Sequence, residues 1–163
     1  MHLIYARFIN MFLYDIGVVK EEEPFKKVIH QGMILNEGEK MSKSKGNTIN
    51  PDDYDPDELR LYLMFIGHYF DGGSWSDDKI IGIRRFIYRM KEWLSKEGID
   101  HIDIDKFKSQ IFAYTESFKF NKVVSSFMIL LNENKTKSLT FECKNQLTEL
   151  LKIYIPGFKL NTI

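Results

Sequence analysis

The chain has 163 residues, of which 44% are hydrophobic and 14% aromatic. That is enough apolar side chain for a sizeable core and too much for a disordered segment. The length suits one ordinary domain or a compact one with an appendage, at roughly 100–200 residues per domain. Lys and Arg total 23, as do Asp and Glu, so the formal net charge is zero; spread evenly, that balance discourages nucleic-acid binding.

No apolar run reaches the roughly 18 residues that would span a bilayer, so the expectation is no membrane. The N-terminal residues lack the basic, apolar and small-residue order of a secretory leader. Cys143 is the single cysteine, which excludes an internal disulfide and any zinc site built on Cys pairs, and fits a cytoplasmic location.

In chain order, Leu3, Ile4, Phe8, Met11, Phe12 and Ile16 recur at helical spacing, predicting a helix over 2–16 closed by Gly17. Only Arg7, Asn10 and Asp15 interrupt its apolar surface, so burial on most sides is expected. An acidic turn, Glu21-Glu22-Glu23-Pro24, leads to the apolar run Val28–Leu35, read as a buried strand. Residues 36–47 carry two glycines, two serines and three lysines without hydrophobic period, and read as a loop.

Asn50-Pro51-Asp52-Asp53 has the chemistry of a helix start. A helix over 57–67, with Leu59, Leu61, Leu63, Met64 and Ile66 as its apolar side, and a loop over 70–76 follow. Ser76 or Asp77 then caps the next helix. Four amphipathic segments complete the chain. Residues 79–94 place Ile80, Ile83, Phe86 or Ile87, Met90 and Trp93 on one stripe. Residues 103–118 use Ile104, Phe107, Ile111, Tyr114 and Phe118; residues 120–131 use Val123, Val124, Phe127, Met128 and Leu131; residues 139–154 use Leu147, Leu150 and Leu151 before Pro156-Gly157 ends the pattern. Short connections between such helices make a bundle, so the fold expected is mainly α.

Lys40, Lys43 and Lys45 lie within six residues, beside Ser42, Ser44 and Gly46. Ammonium groups donating up to three hydrogen bonds, with hydroxyls and amides between them, suit phosphate. Phosphoryl and nucleotidyl transfer rests largely on positioning and charge neutralisation, which a cationic loop supplies. On composition alone a merely solvated loop is the commoner outcome. The spacing of a P-loop is absent. Arg84, Arg85 and Arg89 fall on the polar side of the 79–94 helix and suit RNA phosphates, which position RNA without specifying its sequence.

Asp53, Asp55 and Asp57 alternate as in an EF-hand, but Glu58 stands where the turn glycine belongs and Met64 where the bidentate glutamate belongs, so calcium is rejected. His2, His30, His68 and His101 are scattered, and no metal site is expected. Trp75 and Trp93 read as anchors between helices, with base stacking on Trp75 a minor alternative. No serine has a histidine and an acid at nucleophile spacing.

Lys40-Met41-Ser42-Lys43-Ser44 is the KMSKS signature of class I aminoacyl-tRNA synthetases, and its extension Lys45-Gly46-Asn47 resembles the leucyl, isoleucyl and valyl branch. His2-Leu3-Ile4-Tyr5-Ala6-Arg7-Phe8 and Gln31-Gly32-Met33-Ile34-Leu35 resemble segments of leucyl-tRNA synthetases, and the similarity continues through Leu59–Tyr62, Trp75-Ser76, Ile81–Phe86 and Phe120-Asn121. The resemblance implies three parts. Residues 1–35 are a remnant of the nucleotide-binding (Rossmann-like) catalytic domain. Residues 36–76 hold the KMSKS loop and stem-contact-like helices, and 77–163 form an anticodon-binding-type bundle that ends early.

By the same resemblance, Lys40, Met41, Ser42, Lys43 and Ser44 contact ATP, and Lys40 and above all Lys43 act in catalysis, stabilising the triphosphate as the leucine carboxylate attacks. Lys45, Arg84, Arg85 and Arg89 become candidates for contacting tRNA(Leu); leucyl enzymes generally do not read the anticodon. ATP would arrive magnesium-bound. The family's HIGH motif, the GxEH segment and the editing insertion have no counterpart in these 163 residues, so the chain alone is expected not to activate leucine. It reads as a fragment or subunit of a leucine–tRNA ligase, with a non-catalytic RNA-binding or protein-interaction module as the alternative. An apolar helix 2–16 without a partner also predicts self-association. The zero net charge changes meaning here, because acids cluster at 21–23 and 52–58 while lysines cluster at 40–45 and arginines at 84–89.

Overall fold

The computed structural model describes residues 2–160. The chain divides into two compact units, Met1–His30 and Gln31–Ile163.

The first unit is one helix, α1 (His2–Asp15), and the segment after it. Gly17 closes the helix in the left-handed region at φ +73°, with Val18 N–H donating to Leu13 C=O at 2.8 Å. The expected burial is not found: no residue of α1 is buried, and Ile4, Phe8 and Phe12 are 69%, 71% and 58% exposed. The unit holds one helix and irregular chain, so no second layer exists within it to cover the apolar stripe. The acidic turn instead folds back on the polar side of α1. Asn10 Nδ2 donates to the carbonyls of Glu21 and Glu22 at 2.9 and 2.8 Å, and Arg7 pairs with Glu23 through Nε at 2.8 Å and Nη2. That hydrogen bond raises the Arg7 guanidinium pKa and lowers that of the Glu23 carboxyl.

The strand read over 28–35 is much shorter than expected. Only Ile34–Asn36 (β1) pairs as strand, and Val28, Ile29 and Met33 are exposed. β1 runs antiparallel to Glu39–Lys40 (β2), with Leu35 opposite Lys40, and parallel to Gly73–Ser74 (β3), with Ile34 opposite Gly73; the sheet order is β2-β1-β3. The β1–β2 connection is a two-residue turn in which Glu37 and Gly38 both have positive φ, +53° and +79°, the geometry that matches strand twist in a hairpin. The stretch read as loop over 36–47 therefore contains a strand and a 3₁₀ turn at Lys43–Lys45. Behind β1, a Cβ on Gly32 would lie 2.1 Å from Gly72 N, so the crossing of these two segments requires glycine.

The rest is helical, as the apolar periods predict. Asn50 accepts from Asp52 N–H to start a 3₁₀ turn at Pro51–Asp53, and Asp55 Oδ1 accepts from Asp57 and Glu58 N–H ahead of α2 (Pro56–Phe65). The acids at 53–57 thus start helical turns, in keeping with the rejected calcium reading. α3 (Asp77–Ser95), α4 (Ile104–Glu116), α5 (Phe120–Asn134) and α6 (Phe141–Lys152) follow. Asp103 and Thr140 cap α4 and α6 through their side chains. Ser76 stands at the N-cap of α3 without a side-chain bond.

Ile80, Ile83, Phe86, Met90 and Trp93 of α3 are buried against Phe107 and Ile111 of α4, Val124, Phe127 and Leu131 of α5, and Leu147 and Leu151 of α6. Leu61 and Tyr62 of α2 join this core. Both tryptophans anchor neighbouring elements. Trp93 Nε1 donates to Lys137 C=O at 3.0 Å, while the half-buried Trp75 meets Tyr54 and Tyr62 edge-on at 5.3 and 5.0 Å and donates to Asp77. The fold is mainly α with a small three-stranded sheet. No helix among the described residues is long and apolar enough to cross a membrane.

Candidate functional site

β1 and β2 present the lysine loop. Lys40 is the last residue of β2, Met41 and Ser42 leave the sheet, and Lys43–Lys45 form the 3₁₀ turn. Gly46 ends that turn at φ +69°, its N–H donating to Lys43 C=O at 3.2 Å. A side chain at Gly46 would meet no atom, so the requirement for glycine there is conformational.

The three lysines are not equivalent. Lys45 Nζ lies 2.6 Å from Glu39 Oε2. Lys40 and Lys43 are exposed and have no ion-pair or hydrogen-bond partner among the described residues through their ammonium groups. The surface pair at Lys45 is worth little in stability, since both side chains are more than half exposed. Its effect is on charge: Glu39 offsets the cation of Lys45 and not those of Lys40 and Lys43. Ser42 and Ser44 share a hydroxyl–hydroxyl hydrogen bond at 2.8 Å, and Met41 is half-buried beside them. The donor set of this loop is ammonium, hydroxyl and amide. That set fits phosphate oxygens.

Sequence reasoning missed what holds the loop. Asn47 Oδ1 accepts from Ser42 N–H at 2.8 Å, Asn47 Nδ2 donates to Lys40 C=O at 3.3 Å, and Asn36 Nδ2 donates to Asn47 C=O at 3.0 Å. The only sequence signal was an asparagine just after the lysines, whose partners the chain order does not reveal.

The arginines of α3 also separate. Arg84 Nε donates to both carboxylate oxygens of Glu58 in α2 at 2.9 Å, and this hydrogen bond holds its guanidinium pKa above the ordinary value. Arg84 therefore links α3 to α2. Arg85 and Arg89, one helical turn apart, line a shallow cavity of about 250 Å³ with Met128 and Asn132, and Arg89 donates to Asn132 Oδ1 at 2.9 Å. A larger, mostly apolar cavity of about 700 Å³ opens beside α2, bounded by Leu59, Met64, His68, Phe120 and Tyr154 among others; none of the loop lysines lines it. His2 and His30 are exposed in the first unit, and neither belongs to a metal-like cluster.

Residues 3–75 match the family described as tRNA synthetases class I (I, L, M and V). The match covers a little under half of the chain. The curated relatives it resembles are leucine--tRNA ligases. It is 37% identical to the leucine--tRNA ligase of Malacoplasma penetrans (strain HF-2) over 169 aligned residues, covering 96% of this chain and 21% of that protein. It is 41% identical to the leucine--tRNA ligase of Mycoplasmopsis pulmonis (strain UAB CTIP) over 150, covering 81% and 19%. The chain thus spans about a fifth of the length of these curated relatives.

Proposed function

We propose that this chain supplies the lysine loop of a cytoplasmic leucine–tRNA ligase. In that reaction a leucine carboxylate oxygen attacks the α-phosphorus of magnesium-bound ATP, the bond to the pyrophosphate oxygen breaks, and leucyl-adenylate and pyrophosphate form. Lys40 and Lys43 would neutralise the charge gathering on the departing pyrophosphate, with Ser42, Ser44 and the nearby amides as neutral donors and Met41 packing beneath. The observation that carries this reading is the pairing pattern of the loop: Glu39 engages Lys45, and the two lysines of the signature keep free ammonium groups. The test supplies this chain in trans to the remainder of a leucine–tRNA ligase and measures leucine-dependent ATP–pyrophosphate exchange. Exchange should appear with the unaltered chain and fall by about 10²–10³ with Lys43→Ala, the usual cost of losing a transition-state charge contact. Equal exchange with that variant refutes the role. The chain alone should give no exchange.

The same reading gives α3 a part in docking tRNA(Leu) through Arg85 and Arg89, with Lys45 a weaker candidate because Glu39 engages it. Binding of the tRNA in a gel-shift titration should weaken with salt and lose about one unit of log–log slope for each arginine replaced. RNA binding without any exchange in the reconstituted system would favour the rival, a non-catalytic RNA-binding module. The exposed apolar face of α1 further implies self-association of the isolated chain, read by light scattering against concentration; a monodisperse monomer overturns that part.

A further inference from the structure

We propose that Asn47 is the positioning residue of the lysine loop, a clamp that sets Lys40 and Lys43 before any phosphate arrives. Its side chain spans the segment from which both lysines project, accepting from Ser42 N–H at 2.8 Å and donating to Lys40 C=O at 3.3 Å. The amide orientation follows from these partners, since turning it over would set NH₂ against N–H and oxygen against oxygen. Asparagine is suited to the task because one short side chain carries both an acceptor and a donor. Its backbone is held in turn by Asn36 Nδ2 at 3.0 Å, at the end of β1, so the clamp is tied to the sheet. Asn36, Ser42 and Asn47 are all half-buried, whereas the three lysines are exposed, so water competes less for the bonds of Asn47 to Ser42 and Asn36 than for the lysines.

The physical consequence is preorganisation. Between the clamped positions the chain makes the single turn Lys43–Lys45, closed by left-handed Gly46. With both ends held, that turn samples fewer conformations before binding, so less ordering remains when a phosphate is engaged. Asn47 itself need not touch the ligand.

This inference rests on the phosphate reading of the loop, and two measurements on the full chain separate them. The first is amide exchange of Ser42 by nuclear magnetic resonance. Asn47→Ala should exchange about fivefold faster, the scale of losing roughly 1 kcal/mol of hydrogen bonding, while Asn47→Asp, which keeps the acceptor, should retain most of the protection. The thermal midpoint should hold in both variants, since the loop lies outside the core. The second is titration with inorganic pyrophosphate, where Asn47→Ala should bind several-fold more weakly than the unaltered chain although all three lysines remain. Unchanged Ser42 exchange in Asn47→Ala overturns the clamp. Faster exchange with equal pyrophosphate affinity overturns the positioning role alone. If the unaltered chain does not bind pyrophosphate, the phosphate reading falls and the positioning role with it, whatever the exchange data show.

Discussion

Replacing Tyr62 by Phe removes one oxygen from the centre of the helical unit and nothing else. Tyr62 is 0% exposed, and its hydroxyl accepts from Ser76 N–H at 2.8 Å, where Ser76 makes no side-chain cap of its own. The first turn of α3 therefore has one of its otherwise unpaired N–H groups satisfied by a side chain of α2. The ring, with its edge-on contact to Trp75 at 5.0 Å, stays in the variant. What is lost is one hydrogen bond to a half-buried amide, about 1 kcal/mol, or about 2–4 °C in midpoint for a chain of this size. Urea unfolding followed by circular dichroism at 222 nm reads it directly. Tyr62→Ala, which also deletes the ring, should cost about 3–5 kcal/mol, a large share of a typical total of about 5–15 kcal/mol. A Phe variant as stable as the parent, together with a large loss for Ala, would show that packing alone holds α2 to α3 and that the Tyr62–Ser76 bond contributes nothing.

Three further outcomes follow from the same structure. Burial raises the pKa of the Tyr62 and Tyr154 phenols, and the hydrogen bond to Asp77 raises that of Tyr54, so each folded value exceeds the unfolded one of about 10. The unfolded chain then releases these protons first. Stability should be fully present below about pH 10 and fall as pH rises toward the folded values, with a shallower fall in Tyr62→Phe; a flat profile in alkaline urea titrations contradicts this. Gly98→Ala would set a Cβ 2.1 Å from Ser138 C=O, beside the Asp100–Leu139 bridge, and should destabilise by about 1–3 kcal/mol or more in thermal unfolding. Gly46→Ala meets no atom but imposes φ +69° on a residue with a Cβ, so it should weaken pyrophosphate binding and leave the thermal midpoint in place, whereas a lowered midpoint would tie the loop to the core.

Helical periodicity made α2 to α6 legible, because residues three and four apart share a face and their spacing is written in the chain itself. The starts at Asn50 and near Asp55 were readable for the same local reason: a cap reaches only two or three residues ahead. Residues 40–44 stood out as chemistry too, since ammonium and hydroxyl groups crowded into five residues suit phosphate, the ligand the proposed function gives them. Everything settled by partners farther along the chain was not. The strand over 28–35 shrank to three residues because pairing depends on β2 and β3, and β3 lies nearly forty residues away. The pairing of Arg84 was not legible because Glu58, 26 positions earlier, meets it across two helices. The apolar stripe of α1 announced burial, yet burial needs a covering surface, which its own unit does not contain. Sequence alone thus determined the helices and the lysine-rich loop that the proposed function uses. Tertiary structure decided which lysine of the loop is paired and which backbone groups Asn47 bonds, because charge pairing and side-chain hydrogen bonds depend on distances that only the folded chain creates.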